Sequence, residues 1–244
     1  MPEGPSIVIA KEAMQLFAGQ KVIAVTGNTT FDKEKMDGQK ILSIKSWGKH
    51  LLLCFKDFTV RIHFLMFGSY SVNEKKENRV IRLGLRFKKG ELNFYTCSVK
   101  FLEEDVDTLY DWTADVMNDD WDAKAAKKKL KNVPEMMICD ALLEQDIFSG
   151  VGNIIKNEVL YKVKVQPESL IGKIPTPIIS KLIKEVRIYS FQFLEWKKKF
   201  ILKKQWLSHT KKMCLRCDFP FIKKNTGKNK RRSFFCTKCQ SLLN

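Results

Sequence analysis

Two Cys-x2-Cys pairs constrain this chain more than any other feature. Cys214-x2-Cys217 and Cys236-x2-Cys239 stand eighteen residues apart, inside the last thirty-one residues, Cys214–Asn244. That spacing suits tetrahedral zinc, each pair turning at a knuckle and a hairpin joining the two. Between the pairs lie Lys223, Lys224, Lys228, Lys230, Arg231 and Arg232, against one acid, Asp218. A metal clip supplies the rigidity that a hydrophobic core of this size cannot. The pattern predicts a stiff basic finger suited to gripping a phosphate backbone. The competing reading is a pair of disulfides or unrelated thiols.

The other cysteines bear on the compartment. Cys54, Cys97 and Cys139 lie in apolar or β-like surroundings and read as buried free thiols. Unpaired cysteines beside a zinc cluster point to a reducing environment. Met1-Pro2-Glu3-Gly4-Pro5 lacks the basic start and apolar core of a signal peptide. No apolar run approaches the ~18 residues needed to cross a bilayer. The expected location is therefore cytoplasmic, and nucleoid-associated in a bacterium. Lys and Arg exceed Asp and Glu by 17, and a zinc tetrathiolate would lower this excess by only two. Such an excess calls for a polyanionic partner. An anionic membrane surface is the competitor, but no basic amphipathic helix carries a bulky apolar face for insertion.

In chain order, Ile7, Ala10, Met14 and Phe17 fall on one stripe at helical spacing within Ser6–Phe17, with Gly19 placed to end the helix. Seven β-like runs follow: Lys21–Thr26, Lys40–Ser46, Leu51–Phe55, Thr59–Phe64, Val80–Phe87, Leu92–Tyr95 and Ser98–Leu102. Turn signals at Gly27-Asn28, Asp37-Gly38, Lys56-Asp57 and Lys89-Gly90 separate them. Short strands with tight turns predict a β-sandwich or flattened barrel. A polar connector runs from about Asp105 to Asp122, and helical periodicity then takes over. Helices are expected over Asp122–Leu130 and Pro134–Leu143. A longer one should start at Thr176-Pro177, with Thr as N-cap and Pro at the first helical position. Its buried stripe would be Ile178, Leu182, Val186, Tyr189, Phe193 and Trp196. The fold class is α+β multidomain: a β domain, a helical domain and an appended zinc hairpin.

Between the helices sits Ser149-Gly150-Val151-Gly152-Asn153-Ile154. Two glycines, an asparagine and then a helix form a tight turn onto a helix N-terminus, where backbone N–H groups and the helix dipole favour an anion such as phosphate. Taken alone, Asn153 reads equally well as an N-cap.

Met1-Pro2-Glu3-Gly4-Pro5, Gly150-Val151-Gly152-Asn153 and the basic zinc hairpin occur together in this order. The chain thereby resembles the formamidopyrimidine-DNA glycosylase/endonuclease VIII family of base-excision repair enzymes, over essentially its whole length. The resemblance implies a β-sandwich catalytic domain over residues 1–112, a helix-two-turn-helix domain over 113–208 and a zinc finger over 209–244, with damaged duplex DNA as partner and a monomer as the working form. It implies that Pro2, exposed by loss of Met1, is the nucleophile and that Glu3 is the general acid/base. Lys49, on the turn Trp47-Gly48-Lys49-His50, matches the family's turn lysine, which contacts phosphate near the lesion; the bland alternative is a solvated lysine. His63 matches a position near the DNA backbone, or is a satisfied interior histidine. Leu65, Met66 and Phe67 would fill the hole left by a flipped nucleotide, or else continue a buried strand. Asn153 becomes a phosphate ligand. Arg231, five residues before Cys236, becomes the finger arginine, with Arg232 as neighbouring alternative.

This sequence departs from the family pattern in three places. Ser6 stands where the formamidopyrimidine branch usually has glutamate, the hairpin between the cysteine pairs is about two residues longer, and no Arg-x-Phe of a second void-filling loop is found. Pro2-Glu3-Gly4-Pro5 and the single-loop triad Leu65-Met66-Phe67 resemble endonuclease VIII more closely. The expectation is a bifunctional DNA glycosylase/AP lyase that removes oxidised bases, pyrimidines ahead of 8-oxoguanine, and cuts the strand by β,δ-elimination. One structural Zn2+ on Cys214, Cys217, Cys236 and Cys239 is its only expected cofactor. A non-catalytic DNA-binding protein on the same scaffold and an RNA-binding zinc module are the rivals.

Overall fold

The computed structural model describes residues 2–244. The expected loss of Met1 lies outside the described residues. The chain forms two compact units, divided between Asp111 and Trp112.

The first unit opens with helix α1 (Gly4–Met14). Glu3 is its N-cap in extended conformation, and the Glu3 carbonyl accepts from Ser6 N at 2.7 Å. Pro5 lies in the first turn, where its missing N–H costs nothing. Ile7, Ala10 and Met14, with Phe17 in the 3-10 turn that follows, are all buried as the periodicity predicts. Gly19 leaves the helix at φ +83°.

Eight strands follow: β1 (Val22–Thr26), β2 (Ser43–Trp47), β3 (His50–Cys54), β4 (Thr59–His63), β5 (Ser69–Val72), β6 (Leu83–Phe87), β7 (Gly90–Tyr95) and β8 (Ser98–Leu102). They form two antiparallel four-stranded sheets, ordered β1-β6-β7-β5 and β2-β3-β4-β8. One apolar cluster lies between them and includes the α1 stripe, Leu51, Leu53, Val60 and Ile62 from one sheet, and Leu83, Leu85, Leu92 and Phe94 from the other. Burying each large side chain of this kind contributes about 1.5–3 kcal/mol.

Strand β5 is absent from the seven runs read in the sequence. Ser69-Tyr70-Ser71-Val72 is half-buried throughout and sits at a sheet edge against β7 alone, so it carries no apolar alternation. The run at Val80 starts late for a related reason: Val80 is exposed and pairing begins only at Leu83. A short helix α2 (Val106–Leu109), capped by Asp105, closes the unit.

The second unit holds α3 (Ala123–Lys131), α4 (Ile138–Ala141), α5 (Asn153–Val163) and α6 (Thr176–Lys198). Asp122 caps α3 by accepting from Lys124 N at 2.7 Å and Ala125 N at 3.2 Å. The helix expected over Pro134–Leu143 shrinks to α4. Met137 is extended and bridges Leu170, and the first N–H groups of α4 donate to Ser169 O and Pro167 O. The start of α6 also differs by one residue: Pro175 is the N-cap, and Thr176 is already helical. Leu182, Val186, Tyr189 and Phe193 of the expected stripe are buried, with Ile178 and Trp196 packed at its margin. Helix α5 is buried nearly all round, and it packs against α6. The unit ends in the small ladder β9 (Met213–Cys214) with β10 (Phe219–Pro220), and the hairpin β11 (Ile222–Thr226) with β12 (Arg231–Phe235). No helix among the described residues is long and apolar enough to cross a membrane.

Candidate nucleic-acid interface and metal centre

In the first unit, Pro2 is half-buried and Glu3 is 0% exposed, both at the head of α1. Helix α1 packs against β2, β3 and β5, the strands that border the Gly48-Lys49 turn and follow the Leu65–Phe67 segment. Trp47 pairs with His50, so Gly48-Lys49 is a two-residue hairpin turn, and Gly48 takes the positive φ, +53°, that such turns need. Lys49 is half-buried on this turn.

His50 and His63 are register partners on β3 and β4, with ring centroids 5.6 Å apart. Burial, reinforced by Arg61, His63 and Lys49, holds the His50 imidazole down at about 3. Burial, then Lys49 and Arg61, likewise lowers His63. Both rings are therefore neutral near pH 7, and the positive charge here belongs to Lys49 and Arg61. His50 Nδ1 lies 3.2 Å from the Tyr110 hydroxyl. His63 Nδ1 accepts from Leu65 N at 3.3 Å, and Leu65 stands at φ +52°. His63 thus holds the chain where it leaves the sheet. Phe64 is buried, but Leu65, Met66 and Phe67 project, Phe67 being 75% exposed.

In the second unit, Gly150 takes φ +93° and its N–H donates to Gln145 Oε1 at 3.1 Å. Gly152, not Asn153, is the N-cap of α5 and has no side chain with which to cap it. Asn153 is the first helical residue, and its Nδ2 donates to Arg232 O at 2.9 Å. Asn157, one turn on, accepts from Phe234 N at 3.1 Å and donates to Arg232 O at 3.3 Å and Asn153 O at 2.8 Å. The anion-favouring start of α5 and the finger strand are therefore one hydrogen-bonded constellation. Arg231 opens β12 opposite Thr226, half-buried, while the exposed Arg232 faces Asn225. This register was out of reach from the sequence.

Four residues that the sequence reading passed over hold the constellation. Lys156 is fully buried and donates to Ser233 Oγ at 2.8 Å. Glu158 accepts from the N–H groups of Leu207, Ser208 and His209 at 2.9, 2.9 and 2.7 Å. Asp140 accepts from Lys228 N at 2.9 Å, under the turn of the finger. Asn157 is the fourth. The signal available in sequence was the polar run Lys156-Asn157-Glu158 inside an otherwise apolar helix.

The Sγ atoms of Cys214, Cys217, Cys236 and Cys239 lie within 4.8 Å of one another. Neighbouring sulfurs are 3.4 Å (214–217), 3.3 Å (217–236) and 3.6 Å (214–239) apart. A tetrahedron built on ~2.3 Å zinc–sulfur bonds has edges of about 3.8 Å, so the donor set fits a metal ion held by four thiolates. A disulfide needs sulfurs at about 2.05 Å, and all seven cysteines are free. That disposes of the disulfide reading. Cys54, Cys97 and Cys139 are buried, as expected.

An antiparallel sandwich with a cationic turn, followed by a helical unit whose glycine turn is bonded to a basic four-cysteine hairpin, defines a class of proteins with a basic hairpin whose donor set fits a metal ion. The comparisons give the class its family. The formamidopyrimidine-DNA glycosylase N-terminal domain matches residues 1–102, and the formamidopyrimidine-DNA glycosylase H2TH domain matches residues 113–190. The chain belongs to the formamidopyrimidine-DNA glycosylase/endonuclease VIII family.

Endonuclease 8-like 3 of Xenopus laevis is 27% identical over 246 residues, covering 90% of this chain and 38% of that protein. Formamidopyrimidine-DNA glycosylase of Oceanobacillus iheyensis is 27% identical, covering 75% of this chain and 72% of that protein. The chain thus spans little more than a third of the Endonuclease 8-like 3 relatives, 38% in Xenopus laevis and 35% in Mus musculus. Solved structures share the fold. A viral DNA glycosylase superposes with TM-score 0.86 at 20% identity, covering 98% of this chain and all of that one. The Lactococcus lactis formamidopyrimidine-DNA glycosylase bound to DNA containing an AP site superposes with TM-score 0.85 at 22% identity, covering 98% and 99%.

Proposed function

We propose that this protein is a bifunctional DNA glycosylase/AP lyase acting on oxidised bases in duplex DNA, pyrimidines in first place. One observation carries the reading: an intact Pro2-Glu3 pair heads α1 in a chain that matches the family over both of its units. The chain's residues then take these roles. The Pro2 nitrogen, once Met1 is gone, is a secondary amine titrating near ~8, so part of it is unprotonated at neutral pH. It attacks the sugar C1′ and the base leaves with the electrons of the glycosidic bond. Glu3 protonates the ring oxygen as the C1′–O4′ bond opens, giving an iminium. That iminium acidifies C2′–H; loss of this proton expels the 3′ phosphate, a second elimination expels the 5′ phosphate, and water releases Pro2.

Lys49 holds a phosphate beside the lesion, and His63 sets the start of the projecting segment near the backbone. Leu65, Met66 and Phe67 enter the duplex and offset part of the unstacking cost of a few kcal/mol. Asn153 and Arg231 bind phosphates on the finger side, where a guanidinium fork suits the geometry. We assign residues 1–112, 113–208 and 209–244 as catalytic domain, helix-two-turn-helix domain and finger, working as a monomer. The metal is Zn2+ and structural, since four cysteines leave no open coordination position. Pyrimidine preference rests on the single projecting loop. The Lactococcus lactis relative is known in complex with DNA containing an oxidised pyrimidine and also with DNA containing N7-benzyl-Fapy-dG.

Borohydride trapping tests the reading, on duplexes carrying an abasic site, 5-hydroxyuracil or 8-oxoguanine and with protein whose Met1 is shown to be absent. A covalent adduct that disappears in Pro2→Gly is expected, with base release lost in Glu3→Gln. Adducts on 5-hydroxyuracil ahead of 8-oxoguanine support the pyrimidine assignment. No adduct on any duplex would leave a DNA-binding scaffold without the chemistry.

A further inference from the structure

The second unit carries a groove of about 720 Å³ that shares no residue with the constellation around Asn153 and the finger. Trp121, Ile183, Ile188, Phe191 and Trp196 supply its apolar lining. Ile188 and Phe191, 37% and 38% exposed, stand one turn apart on α6. The lining runs along α6 from Ser180 to Trp196, which at 1.5 Å per residue is about 24 Å. That is long for a compact small molecule and matches about four turns of a helical peptide.

The charge along the groove is one-sided. Arg187 stacks 5.1 Å over the Phe191 ring and gives its Nη1 to Val116 O at 3.3 Å and Asn118 O at 2.7 Å. Those carbonyls hold the guanidinium in place without neutralising it, and no carboxylate pairs with it among the described residues. Lys184 also lines the groove without a carboxylate partner, and Lys127 meets Ser180 at its edge at 2.9 Å. Glu195 is the single acid in the lining. A cation stacked on an aromatic ring in an apolar trough gains most from a carboxylate that arrives with apolar neighbours.

We propose that this groove docks an acidic amphipathic helix of a partner protein. Two or three large apolar side chains of that helix would seat between Ile188, Phe191 and the two tryptophans, and its carboxylates would pair with Arg187 and Lys184. A second copy of this chain is the less suited occupant, because two molecules each carrying +17 repel. The inference does not depend on the glycosylase reading.

The test uses the full chain and a labelled sixteen-residue helical peptide, with Leu and Phe on one face and Glu elsewhere, read by fluorescence anisotropy. Saturable binding is expected, weakened about fivefold or more by Lys184→Glu or Ile188→Glu and absent for the same peptide with Lys in place of Glu. Both substituted side chains are exposed, so the fold should survive; an unchanged thermal melt followed by circular dichroism confirms it. Three results would overturn the proposal: no saturable binding; binding that survives both variants but falls with Arg231→Ala, which places the peptide on the finger; and concentration-dependent dimerisation abolished by Ile188→Glu, which gives the groove to a second copy.

Discussion

At the residue scale, the neutral histidines connect environment to a measurable property. His50 is held at about 3 by burial and by Arg61, His63 and Lys49, and the half-buried His209 at about 4 by partial burial and by Lys156. An unfolded histidine titrates near ~6.5, so between that pH and the folded values the unfolded chain binds more protons than the folded one. The sign follows: this contribution to stability is fully present above about pH 6.5 and is lost as the pH falls through the window. Glu158 works in the opposite sense, since burial raises its pKa despite three backbone N–H donors. The comparison that isolates His50 is therefore with His50→Gln. Urea midpoints should fall more steeply from pH 7 to pH 4.5 in the native chain than in the variant. Parallel curves would mean that His50 titrates alike in both states.

At the scale of elements, α5 and β12 are joined through asparagines rather than through apolar packing alone. Asn157→Ala leaves the buried Phe234 N–H without its partner, while the Arg232 carbonyl keeps Asn153 Nδ2, and a buried polar group so orphaned costs about 1–3 kcal/mol. Chemical denaturation should show that loss, and hydrogen exchange should place it in β11 and β12. Zinc removal acts on the same element from the other side. One zinc per chain is expected by atomic absorption. Its release by a thiol-modifying reagent should loosen the finger and abolish DNA binding while the melting of the sandwich persists. A hairpin that keeps its exchange protection without metal would contradict a structural role.

For the whole molecule, the charge excess sets the behaviour. Binding to undamaged duplex should weaken steeply with salt, log K falling by about 0.9 per phosphate neutralised. Arg231→Ala should lower that slope by about one, uniformly across sequences. Filter binding over a salt series measures both, and a flat salt response would remove the polyanion from the account. The groove on α6 belongs to this scale too, as a cationic surface whose apolar lining suits a protein better than a phosphate chain.

The sequence by itself determined whatever is written in periodicity or spacing. The stripe Ile7, Ala10, Met14 and Phe17, the strands β3, β4, β7 and β8, the long helix α6 and the four-cysteine cluster all followed from those patterns. The Pro2-Glu3 and Gly-Val-Gly-Asn motifs pointed to a family that the matches over residues 1–102 and 113–190 support. Tertiary structure alone decided what depends on partners distant in the chain. Strand β5 forms because β7 offers it an edge, and α4 stays short because residues 167–170 take the backbone bonds before it. Lys156, Asn157 and Glu158 face inward because the finger and the 207–209 segment bring them hydrogen-bond partners some fifty to eighty residues away. A lone sequence pattern would have turned those three polar residues to solvent. Burial of a polar side chain is settled by who meets it, and that is a property of the fold.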